Sequence, residues 1–319
     1  MPARTILAAA AGAVTGALAT AFFLNSRAST GGFYPPPSTI PRPAPEATSK
    51  PELPVNPTGI FQYGFPGPIS DMGNRSAFVS GYDRRMRNPA WVAEHITAES
   101  LLLDNGDRKQ SAFTEDEAIP EKFRAKLKDY FRSGYDRGHQ APAADAKWSQ
   151  ASMDETFLLT NMCPQVGSGF NRDYWAHFED FCRRLVKHYP SVRIITGPLY
   201  LPQRTPEGKW KVEYEVVGNP PNIAVPTHFY KIVIGERKTA DGTVAVGAFV
   251  MPNQVISNST PLTTFEVPLE MVERASGLEF LGKLDVAKRR RLCGEVECGI
   301  TVREFKRAAE GGQQPLGKK

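Results

Sequence analysis

The distribution of proline restricts the folded part of this 319-residue chain more than any other feature of its sequence. Nine of the 27 prolines fall within residues 35–57. A segment this rich in proline is extended and semi-rigid, so it does not contribute to a packed core. No second proline-rich break, internal repeat or low-complexity tract follows until the C-terminal tail. The sequence therefore predicts one large domain over residues 59–308, with a linker over 28–58 and a disordered tail over 309–319.

The composition of the chain excludes several classes of protein. Hydrophobic residues make up 41% of the chain, which rules out a wholly disordered or collagen-like protein. Four cysteines are too few for a disulfide-dense secreted scaffold. The formal net charge is +5, but Arg4, Arg27 and Arg42 supply three of these charges and residues 303–319 another three. Net charge therefore gives no indication that the central region binds a polyanion.

The first 27 residues have the features of a targeting segment. Residues 5–24 are uncharged, rich in alanine and flanked by Arg4 and Arg27, and the first acidic residue of the chain is Glu46. A basic, acid-free start of this kind favours mitochondrial import, and secretion is the alternative that fits almost as well. The uncharged run is also long enough to span a bilayer. Association of this segment with a mitochondrial membrane is therefore one expectation.

Strand-like runs and helices follow each other irregularly through the central region. Six runs rich in Val, Ile, Phe and Tyr predict strands over 77–82, 90–96, 156–161, 192–196, 228–234 and 244–251. Four helices are predicted over 120–132, 171–189, 269–275 and 284–292, the first two from apolar residues at helical spacing. Because strands and helices do not alternate, the pattern favours a mixed α+β fold over a doubly wound parallel sheet.

The chemistry-bearing residues of the central region begin with Asp136, Arg137 and His139, which occur within four positions. Gly134 and Gly138 permit unusual backbone angles, so a tight polar loop is expected here. A histidine can accept a proton at neutral pH, and a neighbouring arginine can hold a phosphate or a carboxylate. A histidine in a loop is nevertheless more often a solvated or hydrogen-bonded side chain than a catalyst. These residue types alone leave the role of His139 open.

Three motifs follow one another in the central region: Asp-Arg-Gly-His at 136–139, Asn-x-x-Pro-Gln at 161–165 and Asn-x-x-x-Trp-x-x-x-Glu at 171–179. In this order they resemble the non-specific DNA/RNA nucleases of the ββα-metal fold, and within them the endonuclease G branch. The Asp-Arg-Gly-His signature of that family matches residues 136–139, which are followed by Gln-Ala-Pro. Its Asn-x-x-Pro-Gln element matches 161–165, and its Asn-x-x-x-Trp-x-x-x-Glu helix matches 171–179. The resemblance extends over about residues 59–285. It implies an α+β fold with a central, antiparallel-rich sheet flanked by helices and a ββα-metal (His-Me finger) active-site motif.

The resemblance also implies a role for each residue of the matched motifs. His139 is expected to be the general base that deprotonates the attacking water. Arg108 and Arg137 are expected to hold the phosphate and offset its developing charge, and Asp136 is expected to contribute to substrate binding. Asn171 is expected to be the single protein ligand of a Mg²⁺ ion, for which Mn²⁺ can substitute, because Mg²⁺ keeps most of its water shell.

Two further residues, Asn161 and Glu179, are expected from the resemblance to orient the waters of the metal. The implied function is hydrolysis of DNA and RNA to 5′-phosphate and 3′-hydroxyl ends by a homodimer in the mitochondrion, in the intermembrane space or at the inner membrane. One alternative is a catalytically silent nucleic-acid-binding module of the same fold. Another is a phosphodiesterase that acts only on small substrates.

Several residues have simpler interpretations that the sequence leaves open. Asn171 could cap a helix, and Glu179 could be a solvent-facing helix residue. The basic run 288–291 is more often a solvated helix face than a contact with DNA. Cys293 and Cys298 are not spaced like the ligands of a zinc knuckle.

Overall fold

The structure of the chain is a computed structural model that describes residues 70–237 and 241–302. The predicted targeting segment, the linker and the C-terminal tail, with the domain boundaries at 59 and 308, lie outside these residues. No helix among residues 70–237 and 241–302 combines the length and the apolarity that crossing a bilayer requires.

The described residues form fourteen β-strands and six α-helices. The strands are β1 Ser70–Asn74, β2 Phe78–Asp83, β3 Asn88–Ile96, β4 Asp136–His139, β5 Met162–Gln165, β6 Ser191–Leu199, β7 Gln203–Arg204, β8 Trp210–Lys211, β9 Val216–Val217, β10 Ile223–Ala224, β11 His228–Glu236, β12 Val244–Pro252, β13 Glu266–Val267 and β14 Arg289–Arg291. The helices are α1 Ala98–Leu102, α2 Leu127–Tyr130, α3 Gln150–Glu155, α4 Tyr174–Arg184, α5 Leu269–Ser276 and α6 Leu292–Glu295.

A large sheet forms the centre of the fold. Its strands follow the order β1-β2-β3-β6-β11-β12-β13, and every neighbouring pair in this series is antiparallel. The short β14 joins the sheet by pairing in parallel with β12. The predicted mixed fold with an antiparallel-rich central sheet is therefore confirmed.

Both faces of the central part of this sheet are buried, because its central strands carry apolar side chains on both sides. On β11, Phe229 and Val233 belong to the core under α4, whereas Ile232 and Ile234 belong to the core that includes α5. Successive side chains of a strand point to opposite faces, so one apolar strand serves two cores. Each large side chain that is fully buried contributes about 1.5–3 kcal/mol to folding. The sheet is therefore a rigid platform for the elements packed on it.

The prediction of a continuous helix over residues 120–132 is wrong. The chain instead makes one 3₁₀ turn at Glu121–Phe123 and then the four-residue α2, with extended backbone at Arg124 between them. A tertiary contact replaces the helical hydrogen bonds, since the Ala125 amide donates to the Tyr82 hydroxyl at 3.1 Å. The apolar spacing does not report a buried stripe here, because Phe131 is 63% exposed.

Two other predicted elements are also wrong. Residues 284–292 do not form a helix, because the backbone of β14 pairs with β12 and only a 3₁₀ turn at Val286–Lys288 precedes it. Residues 156–161 do not form a strand, because a 3₁₀ turn occupies Leu159–Asn161 and β5 begins only at Met162. In both places pairing with another part of the chain, and not local propensity, decides the backbone conformation.

A disulfide between Cys293 and Cys298 closes a short loop near the end of the described residues. Both cysteines pack against the core under α4. The Arg184 side chain, at the end of α4, donates to the Gly299 carbonyl at 3.0 Å and ties this loop to the helix. The sequence spacing argued against a zinc knuckle but did not predict the bridge.

Candidate active site

A β-hairpin and a helix bring the sequence-predicted residues together. β4 pairs antiparallel with β5, so that Asp136 lies opposite Gln165 and His139 lies opposite Met162. After β5 the chain makes a wide turn over Gly167–Asn171, with extended backbone at Ser168 and a φ of 83° at Gly169, and then enters α4. Both β5 and α4 contribute to the core on one face of the large sheet. This strand–strand–helix arrangement is the ββα motif that the resemblance implies.

Asn171 lies before α4 and not in its first turn. The predicted helix over 171–189 begins at Tyr174, because Asp173, with φ −130° and ψ −99°, interrupts the helical backbone. It ends at Arg184, where a 3₁₀ turn over Leu185–Lys187 follows. Asp173, and not Asn171, occupies the position that caps the helix. The capping interpretation of Asn171 is therefore wrong, and its side chain is available for another contact.

The two glycines of the hairpin are required for different reasons. Gly134 has a φ of 84°, a conformation that side chains other than glycine rarely adopt. Gly138 lies within β4, where a Cβ atom would collide with the side chain of Gln165 on β5. The tight polar loop expected here is therefore wrong, because residues 136–139 form β4 and only Gly134 has the unusual angle. Gly138 supplies space for close strand packing.

His139 lies between two aromatic rings. Its ring centroid is 5.6 Å from that of Phe113 and 4.8 Å from that of Phe157, the second in an edge-to-face arrangement. The residue is 8% exposed, and its Nε2 atom has no hydrogen-bond partner among the described residues. Buried polar atoms are almost always hydrogen-bonded, so a buried ring nitrogen without a partner sets this histidine apart from an ordinary core side chain.

Two arginines complete a stack around this histidine. The Arg137 guanidinium is 4.2 Å from the centroid of Phe113, and the Arg108 guanidinium is 5.3 Å from that of Phe157. Cation–π contacts of this kind hold flexible arginine side chains in place. Burial, together with the charges of Arg108 and Arg137, lowers the pKa of His139 well below its ordinary value. At neutral pH the imidazole is therefore uncharged and able to accept a proton.

Asp136 holds Asn171 through its carboxylate. Arg172 donates to Asp136 through two nitrogens, at 2.6 and 2.7 Å, and Asn171 Nδ2 donates to the same carboxylate at 2.9 Å. Burial alone would raise the pKa of Asp136, but these bonds outweigh it and lower the pKa below its ordinary value. Because the amide nitrogen of Asn171 points at Asp136, its carbonyl oxygen points away from the carboxylate.

The donors at this position fit a hydrated cation better than a cage of protein ligands. Within residues 70–237 and 241–302, no group of three or more His, Cys, Asp or Glu side chains could hold a metal ion. Asn171 instead offers one neutral oxygen on an amide that Asp136 orients. Mg²⁺ takes oxygen ligands and retains several waters, so one well-oriented oxygen suits it.

Asn161 directs its side chain at the backbone. Its Oδ1 accepts from the Ala141 amide at 2.9 Å, and its Nδ2 donates to the carbonyls of Ala141 and Thr156 at 2.9 and 2.8 Å. The residue is fully buried. These contacts fix the chain two residues after His139, which is a different contact set from the water contacts that the resemblance implies.

Glu179 lies on α4, where charged side chains of other residues act on its carboxyl group: Lys231, Arg183, Asp145 and Arg108. Arg183, one turn later on the same helix, forms an ion pair of 2.9 Å with the buried Asp145. Burial raises the pKa of Glu179 to about 7, while the charges of Lys231, Arg183 and Arg108 act in the opposite direction. Arg108 thus acts on both Glu179 and His139. The charge of Arg108 therefore influences the protonation of both residues.

Some residues of the site were missed from the sequence. Arg183 follows Glu179 by four positions, and this helical spacing already indicates one shared face. No comparable signal points to Arg172, whose pairing with Asp136 depends on the fold. The packing of Phe113 and Phe157 on either side of His139 likewise follows from the tertiary structure, since one lies in a loop and the other follows α3.

Comparisons with known proteins agree with this geometry. The sequence model of the DNA/RNA non-specific endonuclease family matches residues 56–287. The chain is 63% identical over 259 residues to the mitochondrial nuclease of Saccharomyces cerevisiae, covering 80% of this chain and 79% of that protein. It is 42% identical over 222 residues to mitochondrial endonuclease G of Homo sapiens, covering 70% and 73% of the two chains. The crystal structure of the EndoG/EndoGI complex contains a similar chain, with a TM-score of 0.67, 47% identity and coverage of 76% of this chain and 100% of that one.

Proposed function

Because the chain belongs to the DNA/RNA non-specific endonuclease family and is therefore a nuclease, we propose that it is a Mg²⁺-dependent endonuclease that hydrolyses both DNA and RNA. The proposed products carry 5′-phosphate and 3′-hydroxyl ends, and Mn²⁺ can replace Mg²⁺. One observation carries the proposal: a buried, uncharged His139, whose Nε2 has no hydrogen-bond partner among the described residues, lies between the stacked Arg108 and Arg137. A base placed beside two cations suits a negatively charged phosphodiester.

In the proposed mechanism, His139 accepts the proton of the water that attacks phosphorus. Phe113 and Phe157 pack against the imidazole ring, so the ring keeps a fixed orientation in the site. Arg108 and Arg137 hold the non-bridging phosphate oxygens with charge-assisted hydrogen bonds. Their charges offset the negative charge that grows on the phosphate as the water adds.

Asn171 is the residue that would hold the metal ion. When bound, Mg²⁺ supplies Lewis-acid stabilisation of the developing charge and of the leaving 3′ oxygen. Asp136, itself held by Arg172, fixes the direction of the Asn171 amide, so its proposed contribution to substrate binding is indirect. Ionised Glu179 accepts hydrogen bonds from water at the site. Asn161 contributes by fixing the backbone that follows β4.

The direct test uses supercoiled plasmid and a single-stranded RNA with the purified chain. Both substrates are expected to be degraded in Mg²⁺, to survive in EDTA, and to be degraded again when Mg²⁺ is restored in excess. The DNA fragments should ligate without prior phosphorylation, because 5′-phosphate ends are substrates for ligation. Undetectable hydrolysis alongside DNA binding would instead favour a silent module. Cleavage of a nucleotide analogue with intact plasmid would favour a small-substrate phosphodiesterase.

Replacing Glu179 with glutamine is expected to move the acid limb of the pH–rate profile. In the wild type the rate should fall below about pH 7, because Glu179 takes up a proton there and no longer accepts hydrogen bonds. The remaining activity of Glu179→Gln should depend on His139, whose pKa is lowered from 6.5, so its acid limb should lie below that pH. The rate of plasmid hydrolysis, measured as a function of pH below 7 for the wild type and the variant, gives the position of each acid limb. If the acid limb of Glu179→Gln lies at the same pH as in the wild type, the fall in rate is due to a group other than Glu179.

The proposed location is the mitochondrion, in the intermembrane space or associated with the inner membrane. Support comes from the relatives named as mitochondrial nucleases and from the basic, acid-free first 27 residues. The proposed assembly is a homodimer. Fusion of residues 1–58 to a fluorescent reporter tests the location, and secretion of the reporter would contradict it.

A further inference from the structure

An exposed arm extends from the fold after β6. β7 and β8 form its hairpin, and residues 212–214 continue from β8 without a turn and outside every described strand pair. At Glu215 the backbone carbonyl accepts from the Val225 amide at 2.8 Å, which extends the pairing of β9 with β10 by one residue. Every side chain over residues 206–216 is exposed. An exposed, extended segment with an unpaired backbone edge is a template for pairing with another strand.

Apolar and charged side chains alternate along this arm. Trp210, Val212 and Tyr214 are 50%, 47% and 37% exposed. The residues between and beside them are charged: Lys209, Lys211, Glu213 and Glu215. Residues two apart share a face of an extended strand, so one face of the arm is apolar and the other is charged. A row of three large apolar side chains in contact with solvent marks an interaction surface.

The charges of the arm are symmetric about Val212. Two lysines precede this residue, and two glutamates follow it at the same distances. In an antiparallel pair of two identical arms centred on Val212, Lys211 of each copy lies opposite Glu213 of the other. Lys209 of each copy likewise lies opposite Glu215 of the other. Four opposite-charge pairs result, which is the arrangement that stabilises cross-strand neighbours.

The apolar face is self-complementary in the same register. Trp210 of each copy lies opposite Tyr214 of the other, and the two Val212 side chains meet at the centre. Aromatic side chains directly opposite each other are favourable cross-strand pairs. Both faces of the arm therefore match a second copy of the same arm through one twofold operation, as an isologous interface requires.

We propose that residues 209–215 pair antiparallel with the same residues of a second copy, with the twofold axis at Val212. This inference rests on the homodimer proposed above and identifies its contact surface. Other registers are disfavoured by charge. A parallel pair places each lysine opposite the same lysine, and a shift of two residues centres the pair on Glu213 opposite Glu213 or on Lys211 opposite Lys211.

The second half of the arm is already held in position by the rest of the chain. The Tyr214 ring packs edge-to-face against Tyr200, with centroids 4.9 Å apart, and the Tyr135 hydroxyl donates to Glu215 at 3.0 Å. Lys211 contacts Glu213 of its own chain, so a second copy adds charges to an existing ion pair. An arm ordered before association loses less conformational freedom on pairing.

Nucleic acid is a less suitable occupant than a second copy. Trp210 and Tyr214 could stack on bases, and the two lysines could contact phosphates. The two glutamates make the arm neutral overall, however, and they would repel phosphates along half of its length. The symmetric charge order is also unrelated to a nucleic-acid contact.

Two charge-reversed variants of the full chain test the pairing. Lys209→Glu/Lys211→Glu makes all four charges negative, and Glu213→Lys/Glu215→Lys makes all four positive. Sedimentation should show a dimer for the wild type and at least about a tenfold weaker dimer for each variant alone, because like charges then face each other. An equimolar mixture of the two variants should regain wild-type affinity as a mixed dimer. Lys283→Glu/Lys288→Glu, which changes charge equally at exposed lysines outside the arm, should leave the dimer unchanged.

Specific outcomes overturn the inference. A monomeric wild-type chain would contradict the proposed homodimer. If both charge-reversed variants still dimerise with wild-type affinity, the arm is not the contact surface. If the equimolar mixture of the two variants stays monomeric, the proposed pairing of lysines with glutamates across the twofold axis is wrong. A Lys209→Glu/Lys211→Glu chain that remains a dimer but binds a short DNA duplex less tightly in EDTA assigns the arm to nucleic acid. Plasmid hydrolysis by the wild type reports on the proposed nuclease chemistry separately from the sedimentation result.

Discussion

Replacement of His139 by alanine is expected to lower the hydrolysis of both plasmid DNA and RNA by about a thousandfold near neutral pH. The reason is the loss of the imidazole that lies between the two stacked arginines. The proton of the attacking water then has no acceptor held at that position. Initial rates at saturating Mg²⁺ measure the effect on each substrate, and the two losses should be equal because one base serves both.

A matched histidine serves as the control for this substitution. His95 lies on the exposed side of β3, where its Nε2 is 2.8 Å from the Ser191 hydroxyl, and His95→Ala should keep activity within about twofold. Binding of a short duplex in EDTA should persist in His139→Ala, since Arg108 and Arg137 remain. Wild-type rates in His139→Ala on either substrate would contradict the proposed role of the histidine.

Replacement of Asn171 by alanine is expected to raise the Mg²⁺ concentration for half-maximal rate by at least about tenfold and to lower the maximal rate by about a hundredfold. The substitution removes the one neutral oxygen that Asp136 orients. It leaves His139 and both arginines in place, so added metal should recover part of the rate. Titration of activity against Mg²⁺, with Mn²⁺ binding measured directly by calorimetry, separates weaker metal binding from slower chemistry.

Two further variants define what the Asn171 result means. Asp136→Asn keeps the size of the side chain but removes the charge that holds Arg172, so it should weaken metal binding less than Asn171→Ala does. Asn74→Ala, at an exposed position of the edge strand β1, should change neither quantity. Equal metal dependence in Asn171→Ala and the wild type would remove Asn171 as the metal-holding residue.

The active-site motif could be predicted because its residues are close in sequence as well as in space. β4, β5 and α4 follow one another within about fifty residues, so the order of the matched motifs carries most of their geometry. Arg108 also reaches the site, but through a loop, and the two rings that stack on His139 are visible only in the folded chain. The positions of Asn161 and Asp136 were predicted, whereas the contacts that they make depend on neighbouring backbone and on Arg172.

The failed element predictions share one physical cause. Apolar spacing reports which side chains can be buried together, but the backbone follows whichever hydrogen-bond partners the fold supplies. The Ala125 amide donates a hydrogen bond to the Tyr82 hydroxyl instead of to a helical carbonyl, so no continuous helix forms over 120–132. Residues 289–291 of the basic run pair with the edge of β12 as a strand, and Arg291 donates to Glu266 on β13. Neither partner can be identified from the local sequence.

The Cys293–Cys298 bridge makes the stability of the nuclease depend on the redox state of its surroundings. Closing a loop this short removes conformational freedom from the unfolded chain, worth about 2 kcal/mol. Such bridges persist in oxidising compartments and are rare where glutathione and thioredoxin keep thiols reduced. Because the loop is tied to Arg184 at the end of α4, reduction would loosen one end of the helix that carries Glu179. The redox state of the compartment can therefore affect the position of Glu179, because the bridged loop supports the C-terminal end of α4.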